Sequence, residues 1–419
     1  MSNQAQQNQG TDVFDVVIAG GGIVGLSLAN ELALSDLSVA VIERSELKPI
    51  TETTDSRVSA INRLALKRFQ QAGVLKTSLA QTLLAERACP FEKMFVWEKS
   101  GAGQIQFDSA ELGVSELGII IENVVLQQVL LESIKSADNV SYLCPEEIER
   151  IDYSVPGESG GETVGDTDDQ DGSVIQLSSG RSLKAKLLVG ADGVHSQVAK
   201  VASIQRVNNS YQQQGLVCNV ATSEPHQNTA WQCFMPSGPL AFLPLYNGGC
   251  SIVWSLDEAL AEQHMSLDDE QFKKILAEAG EYKLGEITDC SQRFLFPLSR
   301  GHAAEYVKPG LALIGDAAHN IHPLAGQGAN LGIADAFALA DVIIHAKKAD
   351  RQWFALHTLK KYQRQRKGAN RVMELSMTGF KELFGQENAV LSELRNAGLS
   401  LIDHIPALKY RIIRQALGE

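Results

Sequence analysis

FDVVIAGGGIVGLSLANELALSDLSVAVIE, residues 14–43, decides the fold. Phe14 to Ala19 is almost continuously apolar, as expected of a strand covered on both faces of a parallel sheet. Gly20-Gly-Gly22-Ile-Val-Gly25 follows, then a helix pattern from about Ile23 to Leu34. A second apolar strand, Val39 to Ile42, ends in Glu43, 23 residues beyond Gly20. This is G-x-G-x-x-G inside a βαβ unit with an acid at the end of the second strand. Gly20 makes the tight turn, Gly22 lets a pyrophosphate approach the backbone, and Gly25 lets helix and strand pack closely. Glu43 is placed for an adenosine ribose hydroxyl, which favours FAD or NAD over NADP, whose 2′-phosphate it would repel. Arg44 either lies over the adenine or is a solvated charge.

The chain returns to this pattern near its other end. GDAAHNIHPLAGQGANLGIADA, residues 315–336, follows an apolar strand, Leu311 to Ile314. Gly-rich Ala325 to Gly328 then opens a helix with Leu331, Ala334, Ala338 and Leu339 as its expected apolar face. Free N–H groups at a helix start, with the positive end of its dipole, hold negative charge. Asp316 would repel a phosphate but suits a sugar hydroxyl. A cofactor with a polyol and an electron-rich ring, a flavin, fits both stretches. Leu187 to Val189 delivers a further small-residue turn with an acid, Gly190-Ala-Asp192-Gly193-Val-His195-Ser196, and Asp192 is a further candidate for binding the cofactor.

Between these pieces the pattern changes. Residues 216–254 read as successive strands without helices, which marks an antiparallel sheet. Its aromatics Trp231, Phe234 and Phe242 are candidates for lining a substrate pocket, or plain core. Arg57 lies before a helix near Arg63; it reaches the cofactor or caps surface carboxylates. Pro156 to Gly172 holds six acidic residues and no Lys or Arg, and reads as a disordered hairpin tip. Residues 1–13 read as a loose polar tail. The 419 residues carry a net charge of −13, which argues against a nucleic-acid partner. Residues 342–419 nevertheless hold 14 Lys and Arg against 7 Asp and Glu. The six cysteines are scattered, with no metal-like spacing. No apolar run approaches the ~18 residues of a membrane span.

Four anchors stand in order: Gly20 to Gly25 with Glu43, Asp192-Gly193, Gly315-Asp316, and His322-Pro323-Leu-Ala-Gly-Gln-Gly-Ala-Asn330. Together they resemble the single-component flavoprotein aromatic hydroxylases of the p-hydroxybenzoate hydroxylase type. HPLAGQGANLGIADA resembles the signature of the UbiH/UbiF/VisC family of ubiquinone-biosynthesis hydroxylases. RVSAIN at Arg57, GIIIEN at Gly118, GPLAFLPL at Gly238, SIVWSL at Ser251 and IIRQALG at Ile412 place it nearest the VisC branch. The similarity covers roughly residues 14–418.

The resemblance implies an α/β fold: a Rossmann-like FAD-binding domain (14–92, 118–200, 300–346), an inserted antiparallel-sheet substrate domain (93–117, 201–299) and a C-terminal helical region (347–419). It implies that Glu43 binds the adenosine ribose, Asp316 the ribityl-side hydroxyls, and that Arg57 and Asn123 lie beside the flavin. Gly326, Gly328 and Asn330 would face the pyrimidine edge of its ring. His322 and Pro323 lie where family members pass the substrate ring; His322 either helps ionise the phenol or hydrogen-bonds through its ring. The departure is at the Asp192-Gly193 motif, where relatives usually carry Arg three residues after Ser196 and this chain has Ala199. The implied reaction is hydroxylation of a polyprenylphenol by O2, with NAD(P)H as co-substrate, through a C4a-hydroperoxyflavin. The alternatives are another apolar aromatic substrate, or a non-catalytic flavoprotein subunit of a ubiquinone-biosynthesis complex. The expected location is cytoplasmic, with peripheral contact at the inner face of a membrane or with a partner complex.

Overall fold

The computed structural model describes residues 11–99, 103–154, 172–320 and 328–384. The candidates His322, Pro323 and Gly326, most of the expected acidic hairpin tip and residues 385–419 of the expected C-terminal helical region lie outside these residues.

The first strand is longer than its apolar run predicts, Thr11–Ala19. Asp12 and Val13 pair with Leu183 and Lys184 of the strand Ser182–Gly190, so backbone pairing, not burial, extends it into the expected polar tail. Parallel strands Leu311–Leu313, Ser182–Gly190, Thr11–Ala19, Val39–Ile42 and Val140–Leu143 lie side by side in that order. Their register brings one set of carboxyl ends level: Ala19 is opposite Ile42 and Gly190, and Gly190 is opposite Leu313. The chain segments that follow these ends begin with Gly20, Glu43, Ala191 and Ile314, so four separate pieces of sequence converge on one crevice. A hairpin, Ile148–Asp152 with Ser173–Leu177, joins the sheet edge.

The helix Gly328–Lys348 is long and apolar enough to cross a membrane by length and composition, contrary to the sequence expectation. It lies mostly buried in the core, against Ile23–Leu32 and Leu356–Phe384. Its buried set also differs from the expected face. Ile333, Ala336, Phe337 and Ala340 are buried with Leu331 and Leu339, whereas Ala334 and Ala338 are half-buried. A helix covered by neighbours on several sides has no single apolar stripe.

The expected antiparallel sheet runs His319–Asn320, Phe294–Ala303, Arg206–Thr222, Cys250–Asp257, Leu240–Pro244, Thr229–Phe234, Lys93–Glu98, Gln104–Asp108, and is antiparallel except where Thr229–Phe234 pairs parallel with Lys93–Glu98. It therefore continues through Ala303 and takes in His319 and Asn320, both numbered within the expected flavin domain. Alternation gives it two faces. Leu216, Cys218, Leu240, Phe242, Ile252 and Trp254 face the helices Glu258–Ser266 and Asp269–Ala279, where Phe272 and Leu276 are fully buried. Each such side chain contributes about 1.5–3 kcal/mol. Ala230, Ala241, Leu243 and Leu245 pack instead on Ala60 and Ile120, from a small sheet of Val58–Asn62, Gly118–Glu122 and Cys89–Phe91.

Candidate active site

The glycine turn is a cradle built of backbone. Gly20 has φ +109°, and a Cβ there would meet Ala191 O at 2.4 Å. A Cβ on Gly25 would lie 2.0 Å from Gly20 O, so helix and turn touch with no room for a side chain. At Gly22, which caps the helix Ile23–Leu32, a Cβ would meet nothing within 4 Å. Gly22 opens instead onto a cleft of about 700 Å3 that it lines with Gly21, Ile23, Val24 and Glu43. An open backbone at a helix start, with a carboxylate beside it, fits a pyrophosphate and a ribose. Glu43 is already oriented: Gly21 N–H donates to its Oε2 at 2.8 Å and Ser45 N–H to its Oε1 at 3.0 Å.

The same cleft continues past Arg57, Asn123, Asp316 and Gly328 to Phe296, Pro297, Leu298 and Ser299 on the antiparallel sheet. Gly328 starts the long helix there. Asp316 is reached by solvent through the cleft, yet the protein around it pushes its carboxyl above the usual range, against His319 and Arg206. Arg206 is half-buried behind it and donates to Ala317 O, and its Nε has no partner among the described residues. Burial lowers the pKa of this guanidinium, opposed by Asp316 and Asp192. Asn123 accepts from the Ser59 hydroxyl at 2.7 Å.

The exposed Arg57 is carried by a tethered loop. Its N–H donates to Asp55 Oδ1 at 2.7 Å, and Asp55 N–H donates to Glu122 at 2.6 Å. Buried Glu122 receives two hydrogen bonds of 2.8 Å from Arg87, the fork geometry that suits a carboxylate. Asn219 of the antiparallel sheet donates to Thr54 O at 2.9 Å, so the loop joins the two halves of the cleft.

Several expected contacts are placed elsewhere. Asp192 turns from the cleft to the helix Gln197–Val201, accepting from Gln197 and Val198 N–H at 2.7 and 3.2 Å; a short helix start takes the acid first. Its neighbours Ala191, Gly193 and Val194 line the cleft. Asn330 spends its amide on the strand Val58–Asn62, donating to Ala60 O at 2.6 Å and accepting from Asn62 N–H at 3.0 Å. It is absent from the cleft wall. Arg44 is exposed and does not line the cleft, although Glu43 and Ser45 on either side of it do. Ala199, in the place of the family arginine, is buried in the core.

The three aromatic candidates are core residues. Trp231, half-buried, and Phe242, buried, face each other across paired strands on the helix side of the sheet, and the Trp231 ring lies tilted at 54° to Phe95 with centroids 5.2 Å apart. Phe234 sits in a separate cluster with Val96 and Ile105. Phe296 takes the position expected of them: its ring lies against Gly215, directly opposite in the sheet, and its edge lines the cleft. The signal for it was parity: residues 294, 296 and 298 alternate on the face away from Leu295.

A buried polar cluster behind the cleft was also missed. Asp335 is fully buried and takes hydrogen bonds from His319 Nε2, Arg366 Nε (2.7 Å), Asn370 Nδ2 (3.3 Å) and Gly315 N–H (3.1 Å). Burial would raise its carboxyl, but His319 and Arg366 outweigh that and hold it below the usual range.

Comparison with known proteins agrees with this geometry. Residues 152–375 match the family model described as FAD binding domain, and residues 15–111 that of FAD dependent oxidoreductase. The chain is 35% identical to the 3-demethoxyubiquinol 3-hydroxylase of Escherichia coli K12, over 96% of this chain and 98% of the relative. It is 32% identical to the mouse mitochondrial ubiquinone biosynthesis monooxygenase COQ6, over 96% and 90%. Among solved structures, p-nitrophenol 4-monooxygenase PnpA of Pseudomonas putida shares the fold at TM-score 0.75 and 18% identity, over 97% of this chain and 99% of that one. PqsL of Pseudomonas aeruginosa, a probable FAD-dependent monooxygenase, shares it at 0.72 and 22%, over 93% and 100%. With its dinucleotide cradle, a cleft that continues from it onto the second sheet and these relatives, the chain belongs to the UbiH/UbiF/VisC family of FAD-dependent ubiquinone-biosynthesis hydroxylases.

Proposed function

We propose that this monooxygenase hydroxylates the ring of a polyprenylated phenol, with NAD(P)H as electron donor. One observation carries the reading: the cofactor cradle and the wall Phe296 to Ser299 share one cleft, so ring and cofactor meet without either domain opening. When bound, FAD supplies the redox and oxygen-activating chemistry. The chain supplies position and environment. Gly22 and the helix start behind it hold the pyrophosphate, Glu43 the adenosine ribose, and Asp316 a hydroxyl of the ribityl side. Gly328, at the start of a second helix, presents backbone N–H groups to negative charge developing at that end of the cleft. Phe296, Pro297 and Leu298 offer an apolar face to an aromatic ring and limit water there. Arg57 lines the same cleft from its tethered loop.

A polyprenyl tail partitions into the bilayer, so we place the protein at a membrane surface through the basic helix Leu356–Phe384. The decisive experiment is product analysis. Purified holoprotein, given O2, NADH or NADPH and a short-chain prenylphenol, is expected to oxidise the nicotinamide faster than without phenol and to release a product heavier by one oxygen. Nicotinamide oxidation unaffected by every prenylphenol offered, with no oxygenated product, overturns the substrate assignment. Phe296→Ala should lower the fraction of reducing equivalents that reach product, seen as more hydrogen peroxide per NAD(P)H consumed.

A further inference from the structure

We propose that a second cavity, outside the cofactor cleft, binds a phosphate group. It has a volume of about 510 Å3 and lies between the strand end Gly301–His302 and the helix Leu356–Phe384. Arg364, Lys367 and Arg371 line it from that helix, and a spacing of three and four residues sets all three on one face. His302, Tyr306 and His319 line it too. No Asp or Glu is among its described lining residues, in a chain of net charge −13.

The nearest buried acid does not cancel this charge. Asp335 lies behind His319 and is engaged by His319, Arg366, Asn370 and Gly315 N–H. Arg366 is thus spent on Asp335, whereas its neighbours Arg364 and Lys367 line the cavity. Lys367 gives one hydrogen bond to Ala304 O, and an ammonium has two further protons to donate. Arg364 is exposed and has no ion pair or hydrogen bond with the described residues. Arg371 has a contact of its own, so the Arg364 guanidinium fork and the Lys367 ammonium carry the site, and together they match a phosphate, which accepts several charge-assisted bonds at once. Both a nucleotide and a phospholipid headgroup carry that group.

The holoprotein is titrated calorimetrically with inorganic pyrophosphate. Saturable binding is expected, weakening with added salt, because partly exposed charges are screened. The Arg364→Gln/Arg371→Gln variant, changed at exposed positions, should bind at least about tenfold more weakly, the scale of one lost charge-assisted bond. Lys360→Gln, on the same helix but outside the cavity, should bind as the wild type does. Displacement of pyrophosphate by 5′-AMP identifies a nucleotide source, and displacement by dihexanoyl phosphatidylglycerol a lipid source. No saturable binding to the wild type, or equal binding by wild type and double variant, overturns the site. Flavin content of the double variant is measured alongside and should equal that of the wild type, so failure here is distinct from failure of the cofactor assignment.

Discussion

Two glycines three residues apart do different work, and substitution separates them. A Cβ at Gly25 meets Gly20 O at 2.0 Å, so Gly25→Val should fail to give soluble folded protein. A Cβ at Gly22 meets nothing, so Gly22→Val should fold and yet be purified colourless, its side chain filling the pyrophosphate position. Stoichiometric flavin in that variant overturns the cradle assignment. Asp316 trades stability for binding. Its carboxyl is raised in the folded protein, so its contribution is favourable below the unfolded value and lost as pH rises through the folded one. At neutral pH, flavin-free Asp316→Asn is expected to unfold at equal or higher urea concentration than flavin-free wild type. Asp316→Ala should bind flavin about tenfold to a hundredfold more weakly, the 1.5–3 kcal/mol of a charged hydrogen bond. Unchanged affinity in fluorescence titration removes Asp316 from the ribityl side.

At the scale of elements, Asp335 is the joint between the long buried helix, the basic helix and the turn at Gly315. Removing its charge strands His319 and Arg366 against a buried amide. Asp335→Asn should therefore cost about 3–5 kcal/mol, as loss of one partner of a buried pair does. Its folded carboxyl is depressed, so this stabilisation is complete above the unfolded value of about 3.9 and is lost as pH falls below it. Urea midpoints measured against pH should show a constant gap between wild type and variant above about pH 5 that narrows toward pH 3. A gap that does not narrow makes the effect one of packing alone. The same joint explains why sequence periodicity misjudged the long helix. An Asp at a core position looks like a break in the apolar pattern, and its partners are supplied by residues about 16 before and 31 after it.

For the whole molecule, the charge of residues 342–419 asked for a reason, and the structure redistributes it. The apolar residues interleaved with the basic ones mostly face inward: Trp353, Leu359 and Tyr362 are buried, Phe354 is half-buried, and the Tyr362 hydroxyl donates to Leu313 O at 2.7 Å. Lys348, Arg351, Lys360 and Arg364 are exposed. Any membrane contact made by this described surface is then electrostatic rather than inserted, with about 1 kcal/mol per basic residue before screening. Co-sedimentation should show binding to anionic vesicles at low salt, loss of it at high salt, and weakening when Lys348, Arg351 and Lys360 become Gln. Equal binding to neutral vesicles, or none to either kind, removes the electrostatic role.

Sequence alone determined what is local. The strand, the three glycines and Glu43 lie within 30 consecutive residues, and their spacing follows from backbone sterics, so the cofactor cradle was legible without a tertiary fold. The run of strands from Leu216 onward was legible for the same reason, since alternation is a property of neighbours in the chain. Which face of those strands meets the cleft was not. A shift of one residue exchanges core for pocket, and the choice rests on the helices Glu258–Ser266 and Asp269–Ala279 covering one side. That is why Trp231 and Phe242 are core while Phe296 lines the cleft. Asp192 and Asn330 were assigned to the cofactor by motif, but a helix start and a strand edge claim them, because buried backbone groups must be paired by whatever acceptor or donor is nearest. Only tertiary structure brings Asp335 to His319 and Arg366, and gathers Arg364, Lys367 and Arg371 around a cavity, because those neighbours are set by packing between helices and not by order along the chain.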